Sequence, residues 1–115
     1  MNPADPTATA QRYLAAYAAK DLTAIEPLLA PTVWLRDWHH RVDGKSAVLD
    51  ETQANFDAAS SLGIELLQLH AGAASVAAEL RIVVGGEIEL FVVDIFEFDA
   101  QGRICALRAY KGIGG

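Results

Sequence analysis

The chain has 115 residues, 52% of them hydrophobic, and a formal net charge of −6, which suits one domain spanning residues 1–115 with its own core. The acidic balance argues against nucleic acid and against anionic membrane as partners, because both are held by basic surfaces. It leaves a neutral, hydrophobic small molecule as the ligand that fits best. No apolar run reaches bilayer length, the first residues lack a basic-then-apolar leader, and the lone Cys105 allows no internal disulfide. A cytoplasmic, reducing location is expected.

Asp5-Pro6 opens a helix, with a capping acid followed by proline at the first helical position. Residues 7–20 are Ala-rich, and their apolar stripe is Ala10, Tyr13, Leu14 and Tyr17. Tyr13 is thus expected to point inward. Asp21 opens a shorter helix to residue 29, bent or restarted at Pro27. Residues 33–37 read as a strand with Val33, Leu35 and Asp37 on one face.

Trp38-His39-His40-Arg41-Val42-Asp43-Gly44 reads as a polar loop with an aromatic lid candidate, Trp38. Residues 45–60 form a third helix whose inner stripe is Val48, Leu49, Thr52 and Phe56. Strands follow over residues 64–70, 75–84, 87–98 and 103–111, with Gly85-Gly86 as a two-residue hairpin signal. The order predicts an α+β fold. Three helices from the N-terminal half cover a curved, mainly antiparallel sheet, and the open end of the resulting cone is a ligand pocket.

Asp94 sits inside Leu90-Phe91-Val92-Val93-Asp94-Ile95-Phe96, an apolar run that reads as a strand covered on both faces. A carboxylate there is costly unless it is hydrogen-bonded, paired or protonated. Desolvation raises its pKa, and a protonated carboxyl can donate a hydrogen bond. Arg108 is a candidate ionic partner that would reverse that shift. Tyr13, Asp37 and Asp94 all stand on inward faces, giving two donors and one base. That set can move a proton beside a carbonyl, the donors holding the enolate oxygen while the base takes the proton from carbon.

Two stretches carry a resemblance. Ala10-Gln11-Arg12-Tyr13-Leu14-Ala15-Ala16, with Lys20-Asp21-Leu22 and Leu28-Leu29-Ala30, resembles the start of bacterial ketosteroid isomerase. Val93-Asp94-Ile95-Phe96-Glu97-Phe98, with Gly102-Arg103-Ile104 and Leu107-Arg108-Ala109, resembles its end. The chain is thereby identified as a ketosteroid isomerase-like, SnoaL-like member of the NTF2-like (cystatin-like) superfamily. The resemblance implies an oxyanion-hole tyrosine at Tyr13, a protonated acid at Asp94 and a general base at Asp37. It implies an isomerase that needs no cofactor and pairs as a homodimer through its sheet. Trp38 follows the base where proline is common, Thr52 stands where a further tyrosine is expected, and Lys111 replaces an aromatic near the pocket wall. These departures suit a ketone other than a steroid.

Val33, Leu35, Trp38, Phe56, Leu80, Val92 and Phe96 are the expected substrate-binding lining. No metal is expected: His39 and His40 are adjacent, point apart on an extended segment, and show no accompanying set of Asp, Glu or His. Trp34 and Trp38 share a strand face and stack a ligand or cover the outside of the sheet. A SnoaL-like aldol cyclase or dehydratase, and a non-catalytic small-molecule-binding dimer, are the alternatives on the same frame.

Overall fold

A computed structural model describes residues 5–113. Helix α1 (Pro6–Ala18) begins where the sequence predicts, with Pro6 at a position whose N–H has no helical partner anyway. The Asp5 side chain makes no capping bond. Ala10, Tyr13 and Leu14 are buried, and Tyr17 packs against the same core while partly accessible. Asp21 does cap α2 (Leu22–Ile25), accepting from the Ala24 N–H. Pro27 then forces a restart, and Glu26–Leu28 continue as a 3-10 turn. Helix α3 (Lys45–Ala58) is shorter than the predicted 45–60 and buries Val48, Thr52 and Phe56.

The six strands form one sheet in the order β2-β1-β6-β5-β4-β3. Strand β1 (Leu29–Arg36) begins earlier than residue 33 and runs parallel to β6 (Ile104–Lys111). Strand β2 (Arg41–Asp43) lies inside the predicted loop and pairs antiparallel with β1. Strands β3 (Leu62–Ala71), β4 (Ser75–Val84) and β5 (Ile88–Phe98) form an antiparallel meander that joins β6. The β4–β5 connection has three residues, not two. Gly85 and Gly86 take φ of 63° and 73°, Glu87 N–H returns to Val84 O, and Val84 pairs with Ile88. Positive φ at both turn positions is what glycine supplies without steric cost.

Alternation along β4 and β5 puts Val76, Ala78, Leu80, Val92, Phe96 and Phe98 on the concave face, all buried. The helices cover this face, each large side chain contributing about 1.5–3 kcal/mol on burial. On the convex face Phe91, Val93 and Ile95 form an apolar row that is only partly covered, so the run around Asp94 is not sealed on both sides. Trp34 also faces outward, with Arg41 at 4.1 Å and Arg108 at 5.7 Å from its ring. It does not share a face with Trp38, because the chain turns directly after β1 and swings Trp38 to the cavity. Among the described residues no helix is long and apolar enough to cross a membrane.

Candidate active site

A cavity of about 330 Å³ opens between the concave face and helices α1 and α3. Its wall is mostly aliphatic, and its polar groups are Tyr13, Tyr17, Asp37, His39, Asn55 and Asp94. Tyr13 and Asp94 make the floor. Tyr13 is 3% exposed and holds its ring edge-on to Phe96 at 5.4 Å. Burial first, then the neighbouring Tyr17 and Asp94, push its pKa well above the ordinary tyrosine value. The phenol stays a donor at any working pH.

Asp94 projects from β5 between Ala78 of β4 and Ala109 of β6. Two short apolar neighbours leave space for a carboxyl and give it nothing to pair with. The residue keeps partial accessibility through the cavity, yet protein surrounds its carboxyl, and burial raises the pKa from 3.8 to about 7. The cause is desolvation of the charged form. Arg108 does not reverse it: the guanidinium lies on the convex face, paired with Glu97.

Asp37 follows β1 at the rim of the same cavity. Its Oδ1 accepts from the backbone N–H of His39 at 2.7 Å and of His40 at 3.0 Å. Its own N–H donates to His40 O at 3.0 Å. The carboxylate therefore builds its own turn, as short Asp side chains commonly do, while facing the cavity. Among the described residues Oδ2 takes no hydrogen bond from protein.

The rim corrects one expectation directly. His40 Nε2 lies 2.7 Å from Glu51 Oε1 on α3. Asp37, His40 and Glu51 offer ligand atoms within 4.8 Å of one another. A partner set thus exists, with the right atoms for a divalent cation. The His40–Glu51 contact and the Asp37 turn already account for all three side chains, and no site is assigned to them. His39 and Trp38 line the mouth, and Lys111 Nζ stands 5.9 Å from the Trp38 ring.

Of the expected lining, Leu35, Trp38, Leu80 and Val92 face the cavity. Val33, Phe56 and Phe96 do not; they pack in the core beneath it. Phe96 supports Tyr13, and Phe56 sits edge-on to Tyr17 at 4.9 Å. Strand and helix periodicity assigned their faces correctly, but depth along the cone decides whether a side chain meets the cavity or fills its base. Sequence reasoning missed Tyr17 and Asn55 as cavity residues. The available signal was the four-residue step from Tyr13 to Tyr17, which puts both on one helix face.

The SnoaL-like domain family matches residues 10–107. Steroid Delta-isomerase of Nocardioides simplex is 32% identical over 116 residues, covering 96% of this chain and 93% of that protein. The crystal structure of a steroid delta-isomerase from Pseudomonas aeruginosa superposes with a TM-score of 0.74 at 25% identity, covering 96% of this chain and 82% of the other. An LEH-like epoxide hydrolase of M. tuberculosis has a TM-score of 0.81 at 18% identity, with 94% and 83% covered. One frame thus carries proteins named for different reactions. With an open six-stranded mixed sheet over three helices and a family match along most of its length, the chain belongs to the SnoaL-like family and has the NTF2-like α+β cone fold.

Proposed function

We propose that the protein is a cofactor-independent isomerase that shifts a double bond in a hydrophobic ketone. The carboxylate of Asp37 takes a proton from the carbon α to the carbonyl. The C–H electrons become a carbon–carbon double bond, and the carbonyl π electrons move onto oxygen. Tyr13 and protonated Asp94 donate hydrogen bonds to that oxygen as charge develops, which is usually the main source of rate enhancement in such reactions. Asp37 then returns its proton at the γ carbon, leaving a conjugated enone.

The observation that carries this reading is the raised pKa of Asp94, about 7, in a cavity shared with Tyr13 and Asp37. A carboxyl with that pKa carries its proton in a large share of molecules at neutral pH; in that form it is a donor, with a second donor beside it and a candidate base in the same cavity. The aliphatic wall suits an apolar substrate. The identity to a protein named Steroid Delta-isomerase supports the same chemistry. The partly covered row Phe91, Val93 and Ile95 supports pairing of two copies through the convex face; sedimentation equilibrium at micromolar concentration is expected to give twice the chain mass.

The test is ultraviolet absorbance with a β,γ-unsaturated 3-ketosteroid, comparing wild type with Asp37→Asn. Conjugated enone should accumulate with the wild type and not with the variant. Steroid bound without turnover would instead favour an aldol cyclase or dehydratase, or a binding module, on the same cavity.

A further inference from the structure

We propose that Tyr17 is a third hydrogen-bond donor of the cavity, oriented by Asn55, and that it selects ligands carrying a second oxygen. The inference rests on the reading above only in that Tyr13 and Asp94 hold the first oxygen.

Tyr17 follows Tyr13 by four residues, just over one helical turn, on the same face of α1, about 6 Å along the axis. Both line the cavity, and their ring centroids are 5.9 Å apart. Tyr17 is more accessible than the buried Tyr13 and has Asn55 as a neighbour. Phe56 packs edge-on against its ring at 4.9 Å, which fixes the ring plane. Asn55 Nδ2 donates to the phenol oxygen at 3.4 Å. That bond occupies a lone pair of the oxygen, so the phenol proton is still to be donated. Among the described residues no protein acceptor receives it.

Asn55 is exposed and its bond to the phenol lies at the accessible side of the cavity, so the phenol proton is open to a ligand that enters there and displaces water. Burial, opposed by the Asn55 bond, raises the Tyr17 pKa, so the group keeps its proton. The neighbouring hydroxyl of Thr52 cannot take over, because it is buried and bonded to Val48 O at 2.7 Å. The ligand class this geometry fits is a hydrophobic molecule with two oxygens about one helical turn apart, such as a diketone or hydroxyketone.

The experiment measures binding of 2-naphthol and of 1,3-dihydroxynaphthalene by isothermal titration. Wild type is expected to bind the diol about fivefold more tightly, the size of one net hydrogen bond. Tyr17→Phe should abolish that preference while leaving 2-naphthol unchanged. Asn55→Ala should reduce the preference, and add nothing in the Tyr17→Phe background. An unchanged preference in Tyr17→Phe, equal losses for both ligands, or no preference in wild type overturns the proposal. Tyr13→Phe is the control for the floor and should weaken both ligands. Indifference to Tyr13 would sink the floor assignment and this proposal together, whereas sensitivity to Tyr13 with insensitivity to Tyr17 would remove this proposal alone.

Discussion

The floor and the rim of the cavity hold their polar groups by opposite means. At the floor, Tyr13 and Asp94 are surrounded by Phe96, Ala78 and Ala109, and burial sets their protonation. At the rim, Asp37, His40 and Glu51 are tied to the backbone and to one another. A dry floor keeps protons on and makes donors. A wet, hydrogen-bonded rim keeps a carboxylate oriented near solvent, where it can act as a base. One cavity therefore holds a carboxyl whose pKa burial has raised and another tied by backbone N–H groups at its rim, with no lysine or arginine among the lining residues.

The widest break in that contrast comes from removing the proposed base. Asp37→Asn should lower turnover by about 10²–10⁴-fold, the usual worth of a positioned general base, with circular dichroism unchanged. At the floor, Tyr13→Phe or Asp94→Ala should cost about 10²–10³-fold in kcat, as loss of an oxyanion donor does. Steady-state kinetics on the same ketone checks both.

pH sharpens the comparison. Asp94 donates only while protonated, so the rate should fall as pH rises through about 7. Asp94→Asn keeps a donor at every pH and should lose that descending limb. Stability follows the same group. Between 3.8 and about 7 the folded state holds a proton that the unfolded state has released. Stability should fall across that window, by roughly 4 kcal/mol in all, and level off above it. Urea unfolding at pH 4 and pH 8 should show this loss in wild type and not in Asp94→Asn. The smallest effect belongs to the rim: Glu51→Gln weakens the hold on His40 and should raise KM a few-fold with kcat nearly constant, since surface ion pairs contribute little.

The concave row was legible because strand alternation fixes direction: it put Asp94 and Asp37 inward, and helical spacing did the same for Tyr13. Depth was not legible. Val33, Phe56 and Phe96 share the inward direction but lie below the cavity, where neighbouring elements cover them. Strand β2 escaped because its residues are few, and Arg41 and Asp43 are exposed. The His40–Glu51 pair escaped because its partners come from different elements, and spacing along the chain carries no trace of such a meeting. Tyr17 reads as packing in the sequence, since a helix stripe records that a residue is inward and not that its hydroxyl meets open space.

The sheet order also governs how the protein assembles. Strand β6 is inserted between β1 and β5, so the edge of β1 must wait for a strand that follows all the others in the chain. Arg36 and Tyr110, which bond across that seam, are 74 positions apart. Contacts of such long range make folding slow, and they leave an unsatisfied strand edge exposed to other nascent chains meanwhile. Asp37 at the end of β1 and Asp94 on β5 share a frame only through β6. The two carboxyls that face the cavity are accordingly brought into one frame only once β6 has docked.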